Sequence, residues 1–481
     1  MPELTDSRPS RRHPIEPRPP RGAAWRRAAA TLAVLGALVT GAAAPSSASA
    51  AVSARGETTG SVLGIEMKVK HFTLGNGLRV FVLEDHSTPM FAMHIAYHVG
   101  SRDEQPGRTG FAHLFEHMMF KGSGSVPDGG HFKYINEAGG TLNAFTTADV
   151  TQYHEVVPSH YLDMVLWLES DRLRSLAVTD ENFENQRAAV KEEKAMRYDN
   201  RPYIKALRTF FSDAWAGTGY GHTTIGSEED LSAAATSDIQ GFFDTYYVPN
   251  NAVMAIVGDV DYAEVERKVD ERFGNIPRGP DRAPRPAIDH SMRGPYVRTI
   301  EDPLAPQPLY LIGWKTVPTH DPDHAPVRIL MSVLLRGDSS RITRLLKDER
   351  RMVVASVPTE GIGGGIDAGV AAGAFVPSPG HGFDAIKAVV KAEVGKVKKR
   401  GISPKELQKA INQLTVDTVS DLATNNGRAR GIAQGALFYD DPVHALSELE
   451  SYRKVTPKDI KRVANRYLTD DWLTLEIVPK R

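Results

Sequence analysis

The stretch DIQGFFDTYYVPNNAVMAIV, residues 238–257, returns at residues 459–478 as DIKRVANRYLTDDWLTLEIV, an ungapped offset of 221. Five of the 20 positions are identical; Tyr246 falls on Tyr467, and Met254 meets Leu475. In each copy apolar residues at helical spacing run into a tyrosine. A turn follows, then a strand pattern, Ala252 to Val257 or Leu473 to Val478. A helix–turn–strand unit repeated without a gap marks a duplicated chain. Between the copies Pro277, Pro280, Pro284, Pro286 and Pro295, with Gly274, Gly279 and Gly294, read as a linker. The reading is therefore α+β: two tandem homologous domains, residues 64–275 and 296–481, each a mostly antiparallel sheet packed with helices. Residues 276–295 join them, and 51–63 form an N-terminal segment ahead of the first.

Residues 1–50 read as an export signal rather than as part of the fold. Arginines crowd residues 8–27, an Ala/Leu/Val run extends from Ala28 to Ala44, and Ala48-Ser49-Ala50 fits a signal-peptidase site. The pair Arg26-Arg27 leaves a twin-arginine route open beside the general one. The expected location is exported: secreted, periplasmic or associated with the cell envelope. Without those 50 residues the chain has 51 Lys/Arg and 56 Asp/Glu, a net charge of −5, so no basic excess points to nucleic acid. No later apolar run approaches the ~18 residues of a membrane span. With no cysteine, disulfides, thiolate ligands, thiol catalysis and a lipobox are all excluded.

The chemistry concentrates in His113-Leu114-Phe115-Glu116-His117. On a helix, positions i, i+3 and i+4 share one face, so both imidazoles can hold one metal ion with Glu116 beside them. The spelling H-x-x-E-H inverts the zinc-protease H-E-x-x-H. Phe111, Leu114, Phe115, Met118, Met119 and Phe120 flank it, which predicts a buried helix, where charged and imidazole groups are costly unless paired or metal-bound. A third ligand is offered by a helix pattern over residues 181–197, capped by Thr179 or Asp180. At about 100° per residue, Phe183 and Val190 define its buried side; Glu193 lies roughly 70° from that side and Glu192 about 170° away. Glu193 is thus the inward carboxylate and Glu192 the solvated one. Two histidines, a glutamate and an open fourth position are a known catalytic zinc pattern.

These segments resemble the pitrilysin/insulinase family of inverzincin metallopeptidases, in the shorter form related to the processing-peptidase β subunit. The likeness is carried by Gly110 to Gly122, Gly139-Gly140-Thr141-Leu142-Asn143-Ala144-Phe145-Thr146 and the Glu192-Glu193 helix. It is also carried by Tyr220-Gly221-His222 to Ile225-Gly226, Tyr247 to Asn251 and Ala252 to Asp259. The resemblance implies one zinc ion per chain on His113, His117 and Glu193, with Glu116 as general base. It places Asn143, Ala144 and Phe145 on an edge strand that grips an extended peptide by main-chain hydrogen bonds. Manganese or cobalt could occupy the same donor set.

The chain departs from that family where an arginine and a tyrosine, seven apart, commonly steady substrate and oxyanion. Lys347 and Val354 stand there instead. An oxyanion donor is worth ~3–4 kcal/mol, or ~100–1000-fold in rate. Either a homologous metal-free subunit supplies the pair in a heterodimer, or the chain works alone or as a homodimer. Gln186 stands seven residues before Glu193, where the family is often acidic.

The second copy carries no H-x-x-E-H; with Gly122 set on Gly337, Arg328, Met331 and Ser332 face His113, Glu116 and His117. It is expected to shape a cavity or an interface. His131, His154, His160 and His222 read as surface or hydrogen-bonding histidines. Gly361 to Gly365 lacks the G-K-[ST] of a phosphate loop and reads as a bend or a close backbone approach. Asp338-Ser339-Ser340 has no serine-hydrolase context. The resulting expectation is an exported zinc endopeptidase acting on peptides or unfolded segments. The alternatives are a non-catalytic structural or binding subunit of the same fold, and a maturation peptidase for one precursor.

Overall fold

The computed structural model describes residues 52–288, 295–357, 365–367 and 369–480. Residues 1–50, which the sequence reading takes as an export signal, and Gly361–Gly364 lie outside them. Seven strands build the first sheet: β1 (Ala54–Val62), β2 (Ile65–Thr73), β3 (Arg79–Glu84), β4 (Met90–Tyr97), β5 (Thr141–Thr146), β6 (Thr151–Pro158) and β7 (Ala252–Gly258). Their order is β1-β2-β3-β7-β4-β6-β5, which leaves β5 as an open edge. The second sheet holds β8 (Tyr296–Asp302), β9 (Leu309–Thr316), β10 (Val353–Val357), β11 (Gly369–Pro377) and β12 (Leu473–Pro479), in the order β10-β11-β9-β12-β8.

The duplication is visible strand by strand. The parallel pair β3–β7 corresponds to β8–β12. The antiparallel pairs β7–β4, β4–β6 and β6–β5 correspond to β12–β9, β9–β11 and β11–β10. The repeated stretch supplies the helices Thr236–Tyr246 and Pro457–Tyr467 and the strands β7 and β12, each strand one residue longer than its sequence pattern. Residues 54–62, which the sequence reading leaves ahead of the first domain, are β1, paired along their whole length with β2. Six of the nine residues of β1 are exposed without strict alternation, so the strand lacks the apolar period that would announce it.

Both faces of the first sheet are covered, and every residue of β7 is buried. One face packs on helices of its own half through Phe91, Met93, Ile95, Leu114, Phe115 and Met254. The other face receives the helix Asn425–Tyr439 from the second half, which lies against β4 and β7. That contact is partly polar: His94 meets Asn426 Oδ1 at 2.8 Å and Gln152 Nε2 at 2.7 Å. Gln434 donates to Gln152 at 3.1 Å. His154, read as a surface or hydrogen-bonding histidine, stacks on His94 with ring centroids 4.8 Å apart. No helix among the described residues is long and apolar enough to cross a membrane.

Candidate metal centre

The motif forms the helix Phe111–Met118. Gly110 precedes it at φ 90°, where a Cβ would sit 2.6 Å from the carbonyl oxygen of Ile225. Glu104 closes the helix start: its carboxylate accepts from Gly110 N and Ala112 N, both at 2.8 Å. Burial pushes the Glu104 carboxyl well above the usual range, and these two donors oppose that shift. His222, read as a scattered polar histidine, faces the same carboxylate at 3.5 Å. Leu114, Phe115 and Met118 are buried on the core side of the helix, while His113, Glu116 and His117 are half-buried on the other.

The second contributor is the helix Asp180–Lys194, whose start is capped by Thr179 accepting from Asn182 N. Helical phase places Phe183 and Val190 in the core, as the sequence predicts. Glu192 is exposed and Glu193 is turned in, with 15% of its side chain accessible. Glu193 Oε2 lies 3.2 Å from His117 Nε2 and 3.7 Å from His113 Nε2. One ligand atom from each of the three residues falls within 4.8 Å of the others. Zinc bonds of ~2.0–2.2 Å to nitrogen and oxygen suit that spacing, and the N/N/O donor set suits zinc, so the residues present fit the ion. No other such group occurs among the described residues.

Glu116 is the base candidate. Burial pushes its carboxyl up to about 7, a hydrogen bond from Thr146 opposes this, and the nearby Glu193 adds to it. Burial pulls His113 down to about 3 and also lowers His117, so both imidazoles are neutral and able to ligate at neutral pH. Thr146 Oγ1 donates to Glu116 Oε2 at 2.5 Å. Sequence reading stopped at Phe145, one residue short. Alternation along β5 was the available signal, because Leu142, Ala144 and Thr146 share a face. On this edge strand the Ala144 N–H donates to the Asn143 side chain at 2.9 Å. Phe145 packs on the opposite face, against the core shared with the second half.

Beneath the motif helix, Phe115 rests on Tyr247 with ring centroids 4.3 Å apart. Tyr247 meets the Tyr153 hydroxyl at 3.1 Å. Arg172, fully buried, lies 4.4 Å over the Tyr153 ring and pairs with Glu169 at 2.5 Å and Glu155 at 3.6 Å. His131, expected at the surface or in a hydrogen bond, is buried edge-on to Phe120. The helix Gly130–Glu137 carries it inward next to Ile135.

The second half keeps the space but not the ligands. Gly337, like Gly122, has positive φ after its helix. Arg328, Met331 and Ser332 line a cavity of about 570 Å³ together with Asp417. Asp417 stands 14 residues past its cap Ser403, as Glu193 stands 14 past Thr179, and it pairs with Arg336 at 2.5 Å. Lys347 pairs with Asp338 at 3.0 Å, and Val354 is exposed on β10. Gly365 makes a close approach: Asp149 accepts from the next residue, Ile366, at 2.9 Å, and a Cβ on Gly365 would collide with Asp149 and Tyr220.

Paired sheets of one ancestry, with a His/His/Glu cluster and an adjacent glutamate in only one of them, define a class of two-domain metallopeptidase-like proteins. Residues 79–228 match the insulinase (peptidase family M16) domain and residues 235–414 the peptidase M16 inactive domain, and the chain belongs to the M16 family. It is 27% identical over 413 residues to zinc protease PqqE of Helicobacter pylori, covering 84% of this chain and 91% of that one. An uncharacterized zinc protease of Streptomyces coelicolor is 28% identical over 412 residues, 83% of this chain and 87% of the relative. The crystal structure of a protease from Helicobacter pylori superposes with a TM-score of 0.79 at 27% identity, over 86% of this chain and all of that one.

Proposed function

We propose that this chain is an exported zinc endopeptidase that hydrolyses peptides or unfolded segments. The observation that carries the reading is the convergence of Glu193 Oε2 on His113 and His117, at 3.7 and 3.2 Å, beside the half-buried carboxyl of Glu116. A zinc ion held there would act as a Lewis acid and make water acidic near neutral pH. Glu116 takes the proton of the attacking water and passes it to the leaving amine. Asn143, Ala144 and Phe145 offer the open edge of β5 to an extended substrate, whose backbone acceptor would replace the Asn143 side chain at Ala144 N–H.

The test is zinc content together with cleavage of a quenched peptide. Wild type is expected to carry about one zinc per chain and to lose cleavage on chelation. His113→Ala should lose both metal and cleavage; cleavage that survives in this variant would sink the proposal. Thr146→Val, which keeps shape but removes the donor to Glu116, should lower kcat about 10- to 100-fold, the worth of one hydrogen bond to a charged group. Thr146→Ser should restore most of it, and KM should hardly move.

Lys347 and Val354 favour a partner. Lys347 is engaged with Asp338, and a valine cannot donate a hydrogen bond. A homologous metal-free subunit bearing an arginine and a tyrosine would complete the oxyanion support. Equal cleavage rates with and without a co-encoded homologue would rule this out.

A further inference from the structure

We propose that Arg197 is a positioning residue for the third ligand: its guanidinium holds the outer oxygen of Glu193 so that the inner oxygen stays turned to the two imidazoles. The inference rests on the zinc reading above and deepens it. The two carboxylate oxygens of Glu193 are divided between partners. Oε2 faces His117 and His113, while Oε1 forms an ion pair with Arg197 Nη1 at 2.6 Å. The Arg197 side chain is 70% exposed and that of Glu193 15% exposed, so the arginine lies on the solvent side of the ligand.

The backbone is shaped for this. At Ala195 the helix widens into a π-turn, Ala195–Asp199, closed by Asn200 N donating to Ala195 O at 2.9 Å. Lys194 clamps the turn through Asp199 at 2.7 Å. Such single π-turns concentrate at functional sites, because they re-aim the side chains they carry. The clamp leaves Arg197 one helical turn beyond Glu193 and on its side.

The other two ligands show why this contact matters. His117 has the Gln186 side chain beside it. His113 has no outer partner, since its Nδ1 is buried without a hydrogen-bond partner. Orientation of the cluster from outside therefore rests on Gln186 and Arg197. Outer partners of metal ligands typically account for about 10- to 100-fold in metal affinity. The planar fork of arginine fixes a carboxylate better than the point charge of lysine does.

The experiment is competition for zinc between a chelating dye and the metal-free protein, in wild type, Arg197→Gln and Arg197→Lys. Arg197→Gln should raise the zinc Kd about 10- to 100-fold with the melting temperature of the metal-free form unchanged, and Arg197→Lys should recover part of the loss. Wild type that takes up no zinc would bring down the zinc reading and this inference with it. Wild type that binds zinc while Arg197→Gln binds it as tightly or more tightly would overturn the role of Arg197 alone. A fall in metal-free melting temperature alongside weaker binding would make Arg197 a general brace and likewise overturn it.

Discussion

Glu116→Gln is expected to leave the protein folded and loaded with zinc yet cut peptide turnover by about 100- to 10,000-fold, the usual share of a general acid–base group. The amide keeps the size of the carboxylate and can still accept from Thr146, which now donates to Glu116 at 2.5 Å. It cannot take a proton from water or return one to the amine. The rate should therefore fall in kcat, while zinc stoichiometry and KM stay near wild type. Turnover within threefold of wild type would remove Glu116 from the chemistry. A variant that has lost its zinc would show instead that the carboxylate helps hold the ion.

The largest expected effect on stability comes from Arg172. It is fully buried, and so are Glu155 and Glu169, with which it pairs. Burial, reinforced by Glu169, pushes the Glu155 carboxyl well up, and Arg172 opposes this. Arg172→Met would strand Glu169 in the core. Breaking a buried pair on one side costs about 3–5 kcal/mol, against a total stability of ~5–15 kcal/mol. The urea midpoint should fall accordingly. Replacing all three residues by apolar ones of similar size should recover most of the loss, since the whole charged set gains little over packing. A midpoint unchanged in Arg172→Met would show that Tyr153 and Phe120, not the charges, hold this layer.

Much of the site was legible because it obeys helical phase. His113, Glu116 and His117 share a face by spacing alone, and the apolar positions Phe183 and Val190 were enough to turn Glu193 inward and Glu192 out. The duplicated stretch located β7 and β12 to within a residue, because a buried central strand and its preceding helix keep their apolar pattern. Legibility failed where contacts depend on tertiary geometry. Thr146 reaches Glu116 only because β5 runs beside the motif helix. The π-turn at Ala195 is invisible to a 3.6-residue period, so the helix read as continuing to Arg197. The polar strand β1 had no core face to betray it. The inward Arg172 would have been assigned to a solvated helix face by composition alone.

The Asn425–Tyr439 helix carries a consequence for the order in which this protein matures. It seals the face of β4 and β7 from a position more than 160 residues further along the chain. During synthesis the strands of the first sheet emerge long before their cover, with Ala92, Ala96, Val253, Ala255 and Val257 still exposed to water. Closing so distant a contact is slow, and an uncovered apolar sheet is prone to self-association meanwhile. The half that carries His113, His117 and Glu193 is therefore not a unit that can be cut out and kept. Its enzymology belongs to the completed chain, and truncations that stop before residue 439 should yield aggregates rather than small peptidases.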